Sequence, residues 1–281
     1  MVALETTLVA HGFPPGVGVE VGLQAEARVR SEGAVPATVG VLDGAVVVGL
    51  SAEELARFGD AGPGARKAGP RDLAACVAQR ALGATTVGGT LAACRLAGIR
   101  FMGTGGIGGV HRGFAERPDV SADLAELART PALLVSSGVK SLLDVAATAE
   151  LLETLGVPAL GYRSDELPLF YSAGGGPPVS ARVESPEEAA RIATAHWELG
   201  GAALLLGRPA DQTVSNAEEL TEEALQAASE QGIAGQDVTP FVLSFLHERS
   251  GGRTLTVNRD LIVANAGLAA EVAVAFSARR A

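Results

Sequence analysis

Short apolar runs alternate with amphipathic stretches of helical period through most of this chain, and that alternation constrains the fold more than any other feature. Residues 2–10, 37–41, 99–102, 132–136, 159–162 and 202–206 read as strands. Between them, 19–31, 71–82, 90–97, 141–155 and 187–199 carry apolar residues at helical spacing. Strands separated by helices need crossover connections, which yield a mostly parallel sheet with helices on both faces. Residues 217–229, 240–248 and 261–278 make the last part of the chain helical. The expectation is therefore an α/β protein: one α/β/α layered domain over residues 1–281, with a central mostly parallel sheet and a helical C-terminal part. No Ser/Pro-rich linker, charge block or internal repeat divides it, and 173–178 (AGGGPP) is the most loop-like insertion.

Composition narrows the class of partner. A formal net charge of −10 argues against nucleic acid and against a membrane surface, both of which favour basic footprints. Gly, Glu or Arg interrupts each apolar run before the ~18 residues of a membrane span. The first residues lack a basic region followed by an apolar one, so no signal peptide and a cytoplasmic location are expected. Cys76 and Cys94 lie in Ala/Leu-rich helical patterns and read as small core hydrophobes. The 22 basic residues are 20 Arg and two Lys, Lys67 and Lys140. Codon bias explains the arginines. It leaves the two lysines as positions where an amine, which a guanidinium cannot replace as a nucleophile, is needed.

Four segments can carry chemistry. GTGGIGGVHRG from Gly103 follows an apolar strand and contains GxGxxG, but it runs into Glu116-Arg117-Pro118 where a dinucleotide loop would open an apolar helix. It reads either as a tight structural turn or as an anion cradle, to which His111 and Arg112 would add donors. Lys140 follows ALLVSSG at the C-terminal end of a strand, the edge where α/β sheets place ligands. It is either a Schiff-base lysine or a solvated side chain before a helix. In Asp119-Val120-Ser121-Ala122-Asp123, Ser121 caps a helix over 122–130, or the carboxylates and hydroxyl hold a divalent cation or sugar hydroxyls. Glu5 within ALETTLVAHG is either exposed on an edge strand or buried for acid/base work. His11 ends that strand. His196 and His247 read as structural or solvated.

These segments, in this order, resemble the pseudouridine-5′-phosphate glycosidase family. The matching stretches are ALETTLVAHG, GAVPATVGVLDG, RDL, GATTV, GTGGIGGVHRG, DVSADLAELA, SGVKSLLD, ETLGVPALGYRSDELPLFY, TPF and NAGLAAEVA. The resemblance implies an α/β/α fold, a homotrimer, and a ribose 5-phosphate C-glycoside substrate handled with Mn²⁺ or another divalent cation. It implies that Lys140 attacks C1′ to give a ring-opened sugar imine, that Glu5 donates and accepts the proton, and that Lys67 lies near base and sugar. Asp119 matches the metal aspartate, largely through water. Ser121, Ala122 and Asp123 match a substrate-contacting stretch, and Val87, His111 and Asn265 match positions beside the substrate.

The chemistry suits these residue types. A C–C glycosidic bond has no heteroatom leaving group to protonate, which makes paired-carboxylate hydrolysis unsuitable. An iminium on a lysine supplies an electron sink beside the bond. Several segments depart from the family pattern: HGFPPGVGVE from His11, Ala68-Gly69-Pro70-Arg71-Asp72 after Lys67, Gly88-Gly89-Thr90, Gly207-Arg208-Pro209-Ala210 and Ala264-Asn265. Several drift toward smaller residues, so a larger aglycone than uracil is expected to fit. The reading leans to a natural-product C-glycosynthase that joins ribose 5-phosphate to an aromatic polyketide-like acceptor. Its alternative is a pseudouridine-5′-phosphate glycosidase releasing uracil and ribose 5-phosphate. A non-catalytic sugar-phosphate binding protein is the third reading.

Overall fold

The computed structural model describes residues 1–116, 118–172, 174–233 and 238–279. Arg117 and Ala173, the first residue of the loop-like AGGGPP, lie outside the described residues. Twelve strands are present: β1 (Val2–Glu5), β2 (Pro36–Leu42), β3 (Ala45–Val48), β4 (Arg66–Ala68), β5 (Gly83–Thr85), β6 (Phe101–Gly103), β7 (Val110–His111), β8 (Leu133–Ser136), β9 (Leu143–Asp144), β10 (Ala159–Tyr162), β11 (Ala181–Val183) and β12 (Leu204–Gly207). The helices are α1 (Thr7–His11), α2 (Val17–Ser31), α3 (Ala52–Ala61), α4 (Leu73–Ala78), α5 (Val87–Ala97) and α6 (Ala122–Leu127). They continue with α7 (Val145–Thr154), α8 (Pro186–Glu198), α9 (Ala217–Glu230), α10 (Val238–Arg249) and α11 (Arg253–Ala278).

The main sheet runs β11-β10-β12-β8-β6-β1-β2-β5-β4, with β3 paired to β2. All its pairings are parallel except β2 with β3 and β2 with β5. The central strands are apolar without alternation, as in Leu133–Ser136 (LLVS) and Leu204–Gly207 (LLLG), where every residue is buried. That pattern is what a strand covered on both faces requires. Helices α2, α8 and α11 form one packed group and α5 with α6 another, giving the expected α/β/α sandwich. The core closes at the end remote from the C-terminal strand edges with an edge-to-face cluster of Phe101, Trp197 and Phe276. Cys76 and Cys94 are buried free thiols, and burial pushes Cys94 up to about 12.

Several expected elements end differently, each for a local reason. The strand expected over 2–10 stops at Glu5, because Thr6 turns into the α-region and Thr7–His11 form α1. The helix expected from Ser141 begins only at Val145. Residues 140–143 form a turn closed by Leu143 N donating to Lys140 O (3.0 Å), and the Asp144 carboxylate caps the helix by accepting from Ala147 N. Thr86 caps α5 earlier than the apolar period suggests, and Gly98 ends it in the left-handed region. The helix expected over 71–82 shortens to Leu73–Ala78, while that expected over 261–278 extends back to Arg253. This last helix is long and apolar enough by composition to cross a membrane. Here it is a core helix packed on β6, β8, α2 and α8.

Helix α5 seats against β4 only because residue 89 is glycine: a Cβ there would collide with the Ala68 carbonyl oxygen. Gly89→Ala is therefore expected to destabilise the fold by about 1–3 kcal/mol. Urea denaturation checks this, with an unchanged midpoint as the contrary result.

Candidate active site

The C-terminal ends of β1, β6 and β8 open into one cavity of about 410 Å³. Glu5 is the last residue of β1, Thr104 follows β6, and Lys140 roots in the turn after β8. Lys67, in β4, reaches the same cavity from the other limb of the sheet. The strand expected around Glu5 is not an exposed edge: Glu5 is 5% exposed and sits among buried neighbours. Thr104 Oγ1 donates a short hydrogen bond to Glu5 Oε1. Burial pushes the Glu5 carboxyl above the usual carboxylate range, and this outweighs the ammonium of Lys140, the Thr104 hydroxyl and the weaker pull of Lys67. A carboxyl held above its usual range and a lysine thus share one cavity.

His111, in β7, is held toward its neutral form by burial. Asp119 opposes this, and Lys67 and Lys140 add to it. His11, at the end of α1, also lines the cavity and is lowered by burial and then by Lys67. Val87 and Ala122 are the first residues of α5 and α6, so both helix starts face the same space. Ser121 caps α6 by accepting from Asp123 N (3.2 Å) and also lines the cavity. Asp119 lines the wall beside His111, and no group of three or more His, Cys, Asp or Glu side chains converges among the described residues.

Two of the expected substrate contacts also bond to backbone as clamps. Asp123 spends its oxygens on backbone, accepting from Gly88 N (2.7 Å) and Gly108 N (2.9 Å), which ties the glycine loop to the start of α5. Gly108 is required for that approach, since a Cβ there would meet Ser121 Oγ and Asp123 Oδ2. Asn265 does not reach the cavity. It is fully buried in α11, and its Nδ2 donates to Thr104 O (2.8 Å) and Ser137 Oγ (3.1 Å), joining the loops after β6 and β8. Arg112, expected to offer donors to an anion, is instead bonded to the carbonyls of Ser141 and Leu143 and to Glu218.

The glycine loop opens no helix; it runs into β7, which pairs with β9. It is walled by residues the sequence reading left without a role. Asn258 and Ile262 of α11 lie against Gly105, and the Phe170 ring lies against Gly106. Phe170 stands at φ 64°, a three-residue turn closed by Tyr171 N donating to Leu169 O (2.7 Å), a backbone that a bulky residue adopts under strain. Thr239, Pro240 and Leu243 of α10 complete the wall. The small residues at 88 and 89 do not widen the cavity. A side chain at Gly88 would meet Pro70 and Asp123, and one at Gly89 would meet Ala68. Arg208 and Ala264 line a separate surface groove. The expected enlargement of the aglycone wall therefore finds no basis at these positions. His196 and His247 stay outside the cavity; His247 Nδ1 pairs with Thr254 Oγ1 at 2.7 Å.

The family described as indigoidine synthase A like protein matches residues 1–275. A pseudouridine-5′-phosphate glycosidase of Streptomyces griseus is 47% identical over 287 residues, spanning 100% of this chain and 88% of its own. One from Deinococcus radiodurans is 45% identical over 282 residues, covering 99% and 90%. Among solved structures, the prealnumycin C-glycosynthase AlnA in complex with ribulose 5-phosphate superposes with a TM-score of 0.90 at 39% identity, covering 100% of this chain and 92% of that one. An indigoidine synthase A-like protein of Thermotoga maritima gives 0.86 at 40% identity, covering 97% and 91%. Fold, cavity and likeness together define an enzyme of the C-glycosidase type. The chain belongs to the pseudouridine-5′-phosphate glycosidase family, the indigoidine synthase A-like proteins.

The raised Glu5 carboxyl has a consequence for stability. A carboxyl whose pKa is higher folded than unfolded stabilises below the unfolded value and loses that contribution as pH rises through the folded one. Glu5→Gln is therefore expected to raise the thermal midpoint at pH 8 more than at pH 4.5. Melting curves at the two pH values check it, and an equal shift at both contradicts the burial of an ionising group.

Proposed function

We propose that this protein cleaves the C–C glycosidic bond of pseudouridine 5′-phosphate, releasing uracil and ribose 5-phosphate. The observation that carries the reading is the meeting of a buried Glu5, bonded to Thr104, with Lys140 in one cavity. The names of relatives at 42–47% identity support the substrate.

In this mechanism Glu5 first takes a proton from the Lys140 ammonium, the freed Nζ attacks C1′ and the C1′–O4′ bond breaks, with Glu5 giving that proton to O4′. The ammonium formed on Lys140 returns a proton to Glu5. Glu5 then protonates uracil C5 as the Lys140 nitrogen lone pair forms the C1′=N iminium and the C1′–C5 bond breaks. Water adds to the iminium and frees Lys140 and the open-chain sugar phosphate, so substrate and water balance uracil and ribose 5-phosphate. Lys67, in β4, holds the sugar and base side of the substrate, and Ser121, Ala122 and Val87 line the cavity around it.

The donor set around Asp119 is one carboxylate beside one imidazole, which suits a hard divalent cation that keeps several of its waters and does not suit an all-protein cage. Asp119 would hold Mn²⁺ or a similar cation, which when bound supplies positive charge beside the sugar phosphate.

A second reading is synthesis, with ribose 5-phosphate joined to an aromatic carbon nucleophile. The structural likeness to a C-glycosynthase favours it, as does the apolar wall of Phe170, Leu243 and Ile262.

The test is incubation with pseudouridine 5′-phosphate and Mn²⁺ while uracil release is followed. Enzyme-like turnover is expected; its absence, together with C-ribosylation of an aromatic acceptor, would reverse the order of the two readings. Lys140→Arg keeps the charge and is expected to lower kcat by about 10³-fold or more, as loss of a covalent nucleophile does. Lys67→Arg is expected to cost less, about 10–100-fold. Normal turnover by Lys140→Arg would overturn the imine.

A further inference from the structure

The nucleophilic lysine must present its amine at C1′ from a turn rather than from a helix or strand. The sequence 140–143 is anchored at one end, where Lys140 N donates to Ile107 O (3.2 Å), and closed on itself by Leu143 N donating to Lys140 O (3.0 Å). Those bonds leave the carbonyls of Ser141 and Leu143 to be held from outside. Arg112 takes both. Its Nη2 donates to Ser141 O (2.9 Å) and its Nε to Leu143 O (3.4 Å). The same Nη2 donates to Glu218 Oε1 (2.7 Å), from the first turn of α9, which fixes the guanidinium plane. Arg112 directly follows His111, whose backbone pairs with Leu143 across β7 and β9. One side chain therefore links the glycine loop, the Lys140 turn and the α9–α10 hairpin whose second helix walls the cavity.

We infer that Arg112 is a positioning residue for Lys140: it fixes the turn that carries the nucleophile and, through Glu218, couples that turn to the seating of α9. Planar donors at two nitrogens satisfy three acceptors here, an arrangement an ammonium cannot reproduce. The assignment rests on Lys140 being the nucleophile proposed above.

The test uses Arg112→Ala, Arg112→Lys and Glu218→Gln in the full chain. Three quantities are measured: kcat and KM for pseudouridine 5′-phosphate, the rate of borohydride trapping at Lys140 with ribose 5-phosphate read by mass spectrometry, and the folded fraction from melting curves. Arg112→Ala is expected to lower kcat about 100-fold, the cost of displacing a reacting group by about 1 Å, with KM within about threefold and trapping slowed in parallel. Added guanidinium should restore part of both rates to Arg112→Ala. Arg112→Lys should fall between, and Glu218→Gln should show a smaller loss of the same kind. Trapping and kcat of Arg112→Ala that fall only in proportion to the folded fraction overturn the assignment, as does a kcat within twofold of the parent. If Arg112→Ala does not fold, Arg112→Lys is judged by the same criteria. No Lys140 adduct in the parent protein would sink the imine itself. A kcat loss rescued by guanidinium would then still place Arg112 behind the turn, and an unrescued one would not.

Discussion

Burying Glu5 is the constraint around which the rest of the site is arranged. A carboxyl at the end of a central parallel strand, 5% exposed, must be neutral or closely paired. This chain does some of both. Its proton is held more tightly by burial, while the Thr104 hydroxyl and the Lys140 ammonium lessen the cost of losing it. The balance suits a group that exchanges a proton, the role proposed for Glu5, rather than one locked into a permanent ion pair. Besides burial, the groups that set the balance come from several elements: Thr104 after β6, Lys140 after β8, Asp123 in α6 and Lys67 in β4.

The loops among these elements need fixing, and the chain uses polar side chains bonded to backbone to do it. Asp123 gathers two backbone N–H groups, Asn265 joins the loops after β6 and β8, and Arg112 gathers two carbonyls. Each binds backbone, so each fixes a path rather than a single side chain.

The fold was legible because its strongest signals are local. Uninterrupted apolar runs such as 132–136 belong to strands covered on both faces, and Ser185-Pro186 opens α8 where the capping pattern places it. The elements that escaped are those decided by tertiary contact. β4 is three residues long, β7 and β9 two each, and the turn at 140–143 exists because Asp144 and not Ser141 caps α7. At the site, Glu5, Lys67, Lys140, Val87, His111, Asp119, Ser121, Ala122 and Asp123 converge on the cavity. Their convergence was readable only through family resemblance, since no spacing in the chain relates β4 to β8. Asn265 and Arg112 misled because a polar residue beside a motif looks the same in sequence whether it faces substrate or backbone. Asn258 and Phe170 gave no signal: one lies before the apolar period of α11 becomes regular, the other in a turn whose strain appears only in φ.

The strand order carries one more consequence. Five strand spacings separate β8 from β4, about 24 Å if the sheet lay flat at ~4.8 Å per strand. Yet the lysines rooted at those two positions both act on the Glu5 carboxyl. Glu5, on β1, lies two spacings from β8 and three from β4, so the two amines approach it from opposite sides along the sheet and the strand path between them sets their separation. Residues that set the twist of β2 and β5, remote from any substrate atom, thereby hold a mechanical adjustment on the chemistry. Drift in aglycone preference within such a scaffold can proceed by bending the sheet as well as by recutting the walls.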